Sequence, residues 1–156
     1  MRIDPPAGVT LAAVIRSDLQ SIEGIEIHVN QLNLNNISRV ELDSLGYSLH
    51  NIYNALENSF KQISLVFENH VRDQTRWHRE LLEKMFLDLD PLRPPVLPAE
   101  ARSVTSDLLG FRHLFRHAYE FKLDQAKAVA LWELWQRDGG YVKQGLYDFA
   151  QALGIA

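Results

Sequence analysis

Cysteine is absent from this chain of 156 residues. That excludes a disulfide framework and any cysteine-ligated zinc site, and it fits a reducing cytoplasm, the compartment we expect. Long apolar runs are missing too, so no segment approaches the length of a membrane span. The opening stretch, MRIDPPAGVTLAAVIRSDLQ, has one early arginine and only a brief apolar run before Asp18 and Glu23. It reads as the lead into a helix and not as a signal peptide. Positive charge is not in excess: the formal net charge is −4. A protein living on generic nucleic-acid affinity is usually basic, so this argues against an architectural nucleic-acid binder. It leaves room for an enzyme with a local positive pocket. No internal repeat, low-complexity tract, glycine-rich phosphate loop or strand-like alternation is visible.

What is there is helical spacing. Ile15, Leu19, Ile22, Ile25, Val29 and Leu32 recur at threes and fours, a stripe that continues through Gly24 and ends at the asparagines of 33–36. A longer stripe comes next through Leu42, Leu45, Leu49, Ile52, Leu56, Phe60, Ile63 and Phe67, many turns of a bundle helix. A third helix holds Trp77, Leu81 and Met85. Pro91, Pro94, Pro95 and Pro98 then forbid helix and make a rigid connector, with Pro98 suited to the first turn of the next helix. That fourth helix runs through Val104, Leu108, Phe111 and Phe115 towards Tyr119. Asp124 is placed to cap a last helix containing Val129, Trp132 and Trp135. Gly139-Gly140 is expected to interrupt it, leaving Val142 to Leu153 as a final piece. The expected fold is one all-α domain over 1–156, a bundle of four to five main helices, with 1–9 a loose lead.

The chemistry concentrates in Arg112-His113-Leu114-Phe115-Arg116-His117-Ala118-Tyr119. Arginine holds and neutralises a phosphate, and histidine moves a proton near neutral pH. Arg112, Arg116 and Lys122, with His113 and His117, gather positive charge against only Glu120. On a regular helix Arg112, Arg116 and Tyr119 share a face, while His113 and His117, four apart, share an adjacent one. At about 3.6 residues per turn, such a helix does not aim both Arg112 and His117 at one phosphate. Either the helix ends or distorts near His117, or two copies of it meet across a dimer. The bland reading makes the arginines a solvated face, His117 a satisfied core histidine and Tyr119 a packed aromatic.

The order R-x4-H-x-Y, within GFRHLFRHAYEFKLDQAKAV (110–129), resembles the signature of the HepT-type toxins of the HEPN superfamily. Phe111, Leu114, Phe115 and Leu123-Asp124 fit the resemblance. His113 departs from it, because the family often has asparagine after the arginine. The resemblance implies a HEPN-like two-fold homodimer with a site composed by both protomers. It implies metal-independent cleavage of cellular RNA, with tRNA a candidate substrate, and no cofactor. Arg112 and His117 would be catalytic, with His113 and Arg116 in support. It further implies a minimal nucleotidyltransferase antitoxin as partner, which transfers AMP to the motif tyrosine, here Tyr119.

Other candidates carry less. His28, His50, His70 and His78 look scattered, without metal spacing. Trp77-His78-Arg79-Glu80 reads as a packed tryptophan beside a solvated face. Tyr53, Tyr141 and Tyr147 read as core or core edge, and Asp88, Asp90 and Asp124 as helix-end or loop residues. The alternative function is a non-catalytic helical binding subunit of a nucleotidyltransferase. Against it, a pure scaffold has no chemical need for both Arg112 and His117.

Overall fold

Asp4 sets where the first helix begins. In the computed structural model, which describes residues 1–68, 77–117 and 122–155, its side chain accepts from the Ala7 amide at 3.3 Å. Pro5 and Pro6 then occupy helical positions where a missing N–H costs nothing. Helix α1 therefore runs Pro5–Asn30. The expected loose lead over 1–9 shrinks to its first four residues, and even there the Arg2 amide donates to Leu92 O at 3.1 Å. After a short 3-10 turn at Leu34–Asn36, a capping box opens α2, Arg39–Phe67. The Ser38 hydroxyl accepts from the Glu41 amide, and the Glu41 carboxylate accepts from the Ser38 and Asn33 amides. Those amides, Asn33's first, hold the Glu41 carboxyl below its ordinary range.

Among the described residues the remaining helices are α3 (Trp77–Lys84), α4 (Arg102–Arg116) and α5 (Gln125–Ile155), and no strand is present. The bundle is all-α, as the spacing of apolar residues requires. Helix α2 is its axis and packs against the other four. Leu45, Leu49, Ile52, Leu56, Phe60 and Ile63 of α2 are fully buried against Ile15 and Ile22 of α1, Leu108 of α4 and Trp132 of α5. No helix among the described residues is long and apolar enough to cross a membrane.

The proline connector is pinned from inside. Arg93 is buried. It pairs with Glu68 at the end of α2 and donates to Lys84 O at 2.9 Å and Pro94 O at 3.1 Å. The Val96 and Leu97 amides both donate to Met85 O. Pro98 then caps a 3-10 turn, Ala99–Ala101, that feeds α4 directly. The connector thus fixes where α4 starts, and so where its far end, the motif, lies.

The expected break at Gly139-Gly140 does not occur: α5 is one helix of 31 residues, with Asp124 accepting from the Lys127 amide at its start. Two helical glycines cost about 1 kcal/mol each relative to alanine, less than the burial on either side contributes. Gly139 has its own reason. A Cβ there would sit 2.6 Å from Cδ2 of Trp135, whose buried indole donates to Glu26 of α1 at 3.0 Å. Gly140 has nothing within 4 Å of such a Cβ. The neighbours should therefore respond with opposite signs in thermal denaturation. Gly139→Ala should lose about 1–3 kcal/mol by overpacking against Trp135. Gly140→Ala should gain up to about 1 kcal/mol of helix propensity. Equal shifts would remove the packing explanation.

Candidate active site

Helix α2 carries a polar strip beside its buried stripe. His50, Asn54 and Glu57 are four and three residues apart, so they lie on one flank of the helix and face α3 and α4. Close approach of α4 is possible because residue 46 is glycine: a Cβ there would be 2.5 Å from Leu123 Cδ2 and 3.2 Å from Phe115 Cε2. Phe115 packs instead against His50, with ring centroids 5.1 Å apart.

Arg112 reaches from α4 into this strip. Its Nε donates to Asn54 Oδ1 at 2.9 Å, and its Nη2 lies 3.7 Å from Glu57 Oε1. The side chains of Arg112 and Glu57 are only 11% and 8% exposed, so this pair is held out of water. The other Glu57 oxygen accepts from Nδ1 of His78 on α3 at 2.8 Å. Asn54 Nδ2 faces His50 Nε2 at 3.1 Å. Donor and acceptor roles can be assigned from the arginine outward. A guanidinium only donates, so Asn54 turns its oxygen to Arg112 and its amide hydrogens to His50. Nε2 of His50 must then accept, which makes His50 a neutral imidazole with its proton on Nδ1.

The electrostatics agree. Burial first, then the charges of Arg112 and Arg116, hold His50 below the ordinary histidine value of 6.5. Tyr53, one turn before Glu57, is buried, and burial with the Glu57 charge pushes its phenol well above the usual range. The His50 shift has a sign in stability. A depressed folded value means the unfolded chain takes up the proton first, so His50 contributes stability above the unfolded value and loses it as the pH falls through 6.5 towards the folded value. His50→Gln, which still offers Asn54 an acceptor, should remove that part. Between about pH 7.5 and about pH 5.5, wild type should lose more of its Tm than the variant. Parallel losses would show that His50 does not titrate as argued.

The rest of the motif is arranged differently. Helix α4 ends at Arg116, and His117 is its C-cap residue, with φ −105 and ψ 13. Of the two alternatives the geometry left open, the helix end near His117 is present. His113, Arg116 and His117 are exposed, and the two imidazoles approach to 4.6 Å between ring centroids. Among the described residues no hydrogen bond, ion pair or ring contact joins Arg112 to His117. The monomer thus holds Arg112 inward and leaves the histidine pair outward. Tyr119 lies outside the described residues, as does His70. Phe115 and Lys122 also line an open cavity of about 470 Å³ whose other wall is the start of α2. Arg39 from that wall adds a cation beside the motif.

Two assignments from spacing alone need correction. His50 and His78 are not scattered, because both close the network around Arg112. Tyr141 and Tyr147 are each 47% exposed, so only Tyr53 of the three belongs to the core. Asn54 and Glu57 escape a reading by spacing altogether. The available signal is a carboxylate at position 57 directly beside the apolar stripe, one and two turns after an asparagine and a histidine.

The comparisons with known proteins bear on the whole of this arrangement. No curated protein and no solved structure matches the chain. A family model described as HepT-like protein matches residues 44–153, from within α2 into the last turn of α5. That span includes the polar strip of α2, the connector and the motif helix. The chain belongs to the family of HepT-like proteins.

Proposed function

We propose that this protein is the RNase toxin of a toxin–antitoxin pair, acting in the cytoplasm on cellular RNA, with tRNA the first substrate class to test. The reading draws on membership in the HepT-like family. The single observation that carries it is the placement of Arg112 and His117 at the terminated end of α4. The cation is held in a dry polar strip, and the imidazole is exposed beside His113. RNA supplies its own nucleophile. The 2′-oxygen bonds to phosphorus as the phosphorus–5′-oxygen bond breaks. His117 takes the 2′-hydroxyl proton or gives one to the leaving 5′-oxygen, and the His117 of the second copy or water does the other transfer. Arg112 neutralises charge that grows on the phosphate in the transition state. The products carry a 2′,3′-cyclic phosphate and a 5′-hydroxyl, and DNA does not react. Neither step needs a metal. Exposed His113 and Arg116 support the site through hydrogen bonding and charge.

The proposal includes a two-fold homodimer. Arg112 of one copy and His117 of the same copy are not joined, and a second motif helix across a two-fold axis completes a cleft from both. It also includes a nucleotidyltransferase antitoxin that adds AMP to Tyr119. One experiment tests the core of the reading: purified protein incubated with total tRNA, with and without EDTA. Cleavage that survives EDTA and leaves cyclic-phosphate ends is expected. No cleavage by a folded dimer would leave the protein as a binding subunit of a nucleotidyltransferase. Light scattering of the same sample should give twice the chain mass. A monomer with full activity would remove the composite cleft.

A further inference from the structure

Arg112 differs from the other motif cation in being built into the fold. Arg116 is exposed, whereas Arg112 is gripped by two residues of α2 that are themselves gripped from behind. Asn54 takes the Nε hydrogen at 2.9 Å and is turned by His50 at 3.1 Å. Glu57 faces Nη2 at 3.7 Å and is held by His78 at 2.8 Å. The two contacts do different things. The bond to Nε occupies one edge of the guanidinium and fixes its plane. The carboxylate at 3.7 Å lies beyond hydrogen-bond distance, so it attracts the cation without taking an Nη hydrogen. Among the described residues no hydrogen bond takes an Nη hydrogen, and Glu57 stands 3.7 Å from Nη2, so the Nη1/Nη2 end of the fork keeps its donors in the geometry that meets two phosphate oxygens at once. An arginine free in solvent would have to lose its rotamer freedom when RNA binds. Here that ordering is done in advance.

We propose that Asn54 and Glu57 are positioning residues for Arg112, with His50 and His78 locking them, so that phosphate is met end-on by a guanidinium already set in place. The inference rests on the RNase reading above. It makes the flank of α2 part of the reaction machinery, although none of these four residues touches the substrate.

The test compares Asn54→Leu, Asn54→Asp and Glu57→Gln with wild type in single-turnover cleavage of total tRNA. Binding is measured separately with a 2′-O-methyl oligonucleotide. Asn54→Leu should lower the cleavage rate about tenfold to a hundredfold while affinity stays within about threefold, because a misplaced group costs rate more than binding. Asn54→Asp keeps an oxygen for the Nε hydrogen and should recover most of that loss. Glu57→Gln should behave like Asn54→Leu, and it carries the comparison if the leucine variant fails to fold. A folded Asn54→Leu or Glu57→Gln protein that cleaves at the wild-type rate overturns the proposal. So does a rate loss that only tracks the folded fraction, with Asn54→Asp no better than leucine. A wild type that cleaves nothing instead overturns the RNase reading. The anchoring is then decided by the Nε–H resonance of Arg112 in nitrogen-edited NMR. A resonance protected from exchange in wild type and unprotected in Asn54→Leu sustains it, and fast exchange in both removes it.

Discussion

Arg112→Ala and His117→Ala should each abolish RNA cleavage and growth inhibition while the bundle remains folded. On the proposed chemistry, loss of the proton-transfer group costs about a hundredfold to ten-thousandfold, and loss of the cation on the phosphate is of similar size. The two variants differ in what they do to the fold, and that makes them informative together. His117 is exposed at the end of α4, so its removal should shift stability by no more than about 0.5 kcal/mol. An inactive His117→Ala protein therefore cannot be explained by unfolding. Arg112→Ala removes the cation facing buried Glu57 and leaves Asn54 Oδ1 without its donor, a loss of about 1–3 kcal/mol. Arg112→Lys separates charge from geometry. Lysine keeps the charge but has no fork and no Nε edge to offer Asn54, so it should rescue stability in part and cleavage hardly at all. Cleavage in single turnover, read beside thermal melts, checks all three. His113→Ala should lose less than His117→Ala. If instead His113→Ala is dead and His117→Ala active, the two histidines exchange roles. If both Arg112→Ala and His117→Ala cleave at the wild-type rate, the assignment fails.

How far the sequence alone reaches can be seen in three places. The stripes of α1 and α2 are legible because a buried face repeats every three to four residues whatever it packs against, and Asp124 marks the start of α5 by local chemistry. The caps at Asp4 and Ser38 come from the structure, and Asp4 lies inside the stretch expected to be loose. Helix α5 is misread at Gly139-Gly140 because glycine's cost is local, while the gain that outweighs it comes from packing against α1, where Trp135 meets Glu26 from 109 residues away in sequence. The site is legible only on one side. Arg112 and His117 announce themselves by order and spacing. Asn54, Glu57 and His78 become meaningful only once α2, α3 and α4 meet, since an asparagine and a glutamate beside an apolar stripe look like its solvated flank. The restriction on Arg112 is thus a tertiary fact, invisible to any motif.

Tyr119→Phe should keep cleaving RNA and should escape neutralisation by the nucleotidyltransferase partner. The helix-face argument for Tyr119 stops at Arg116, where α4 ends, and Tyr119 itself lies outside the described residues. What supports the assignment is proximity along the chain. The tyrosine comes two residues after His117 and three after Arg116, and His113, Arg116 and His117 are exposed. On the proposed chemistry, an adenylate attached there carries its phosphodiester charge next to Arg116 and the histidine pair, where RNA would bind. It competes for them electrostatically and blocks the approach by bulk. The hydroxyl is not needed for either proton transfer, so phenylalanine should cost little cleavage. The other tyrosines are internal controls, and Tyr47, at 60% exposed, is the most accessible of them. Tyr141 and Tyr147 are each 47% exposed and far from the motif in sequence, so both can be reached by a transferase. Buried Tyr53 cannot. After incubation with the partner and ATP, intact mass should show AMP-sized increments on wild type and none on Tyr119→Phe, and peptide mapping should put them at 119. Wild type should lose its RNase activity in step with the increments, while the variant keeps it. Increments mapped to Tyr47, Tyr141 or Tyr147, or none on wild type, would end the control role of Tyr119 and leave the cleavage chemistry of Arg112 and His117 to stand on its own test.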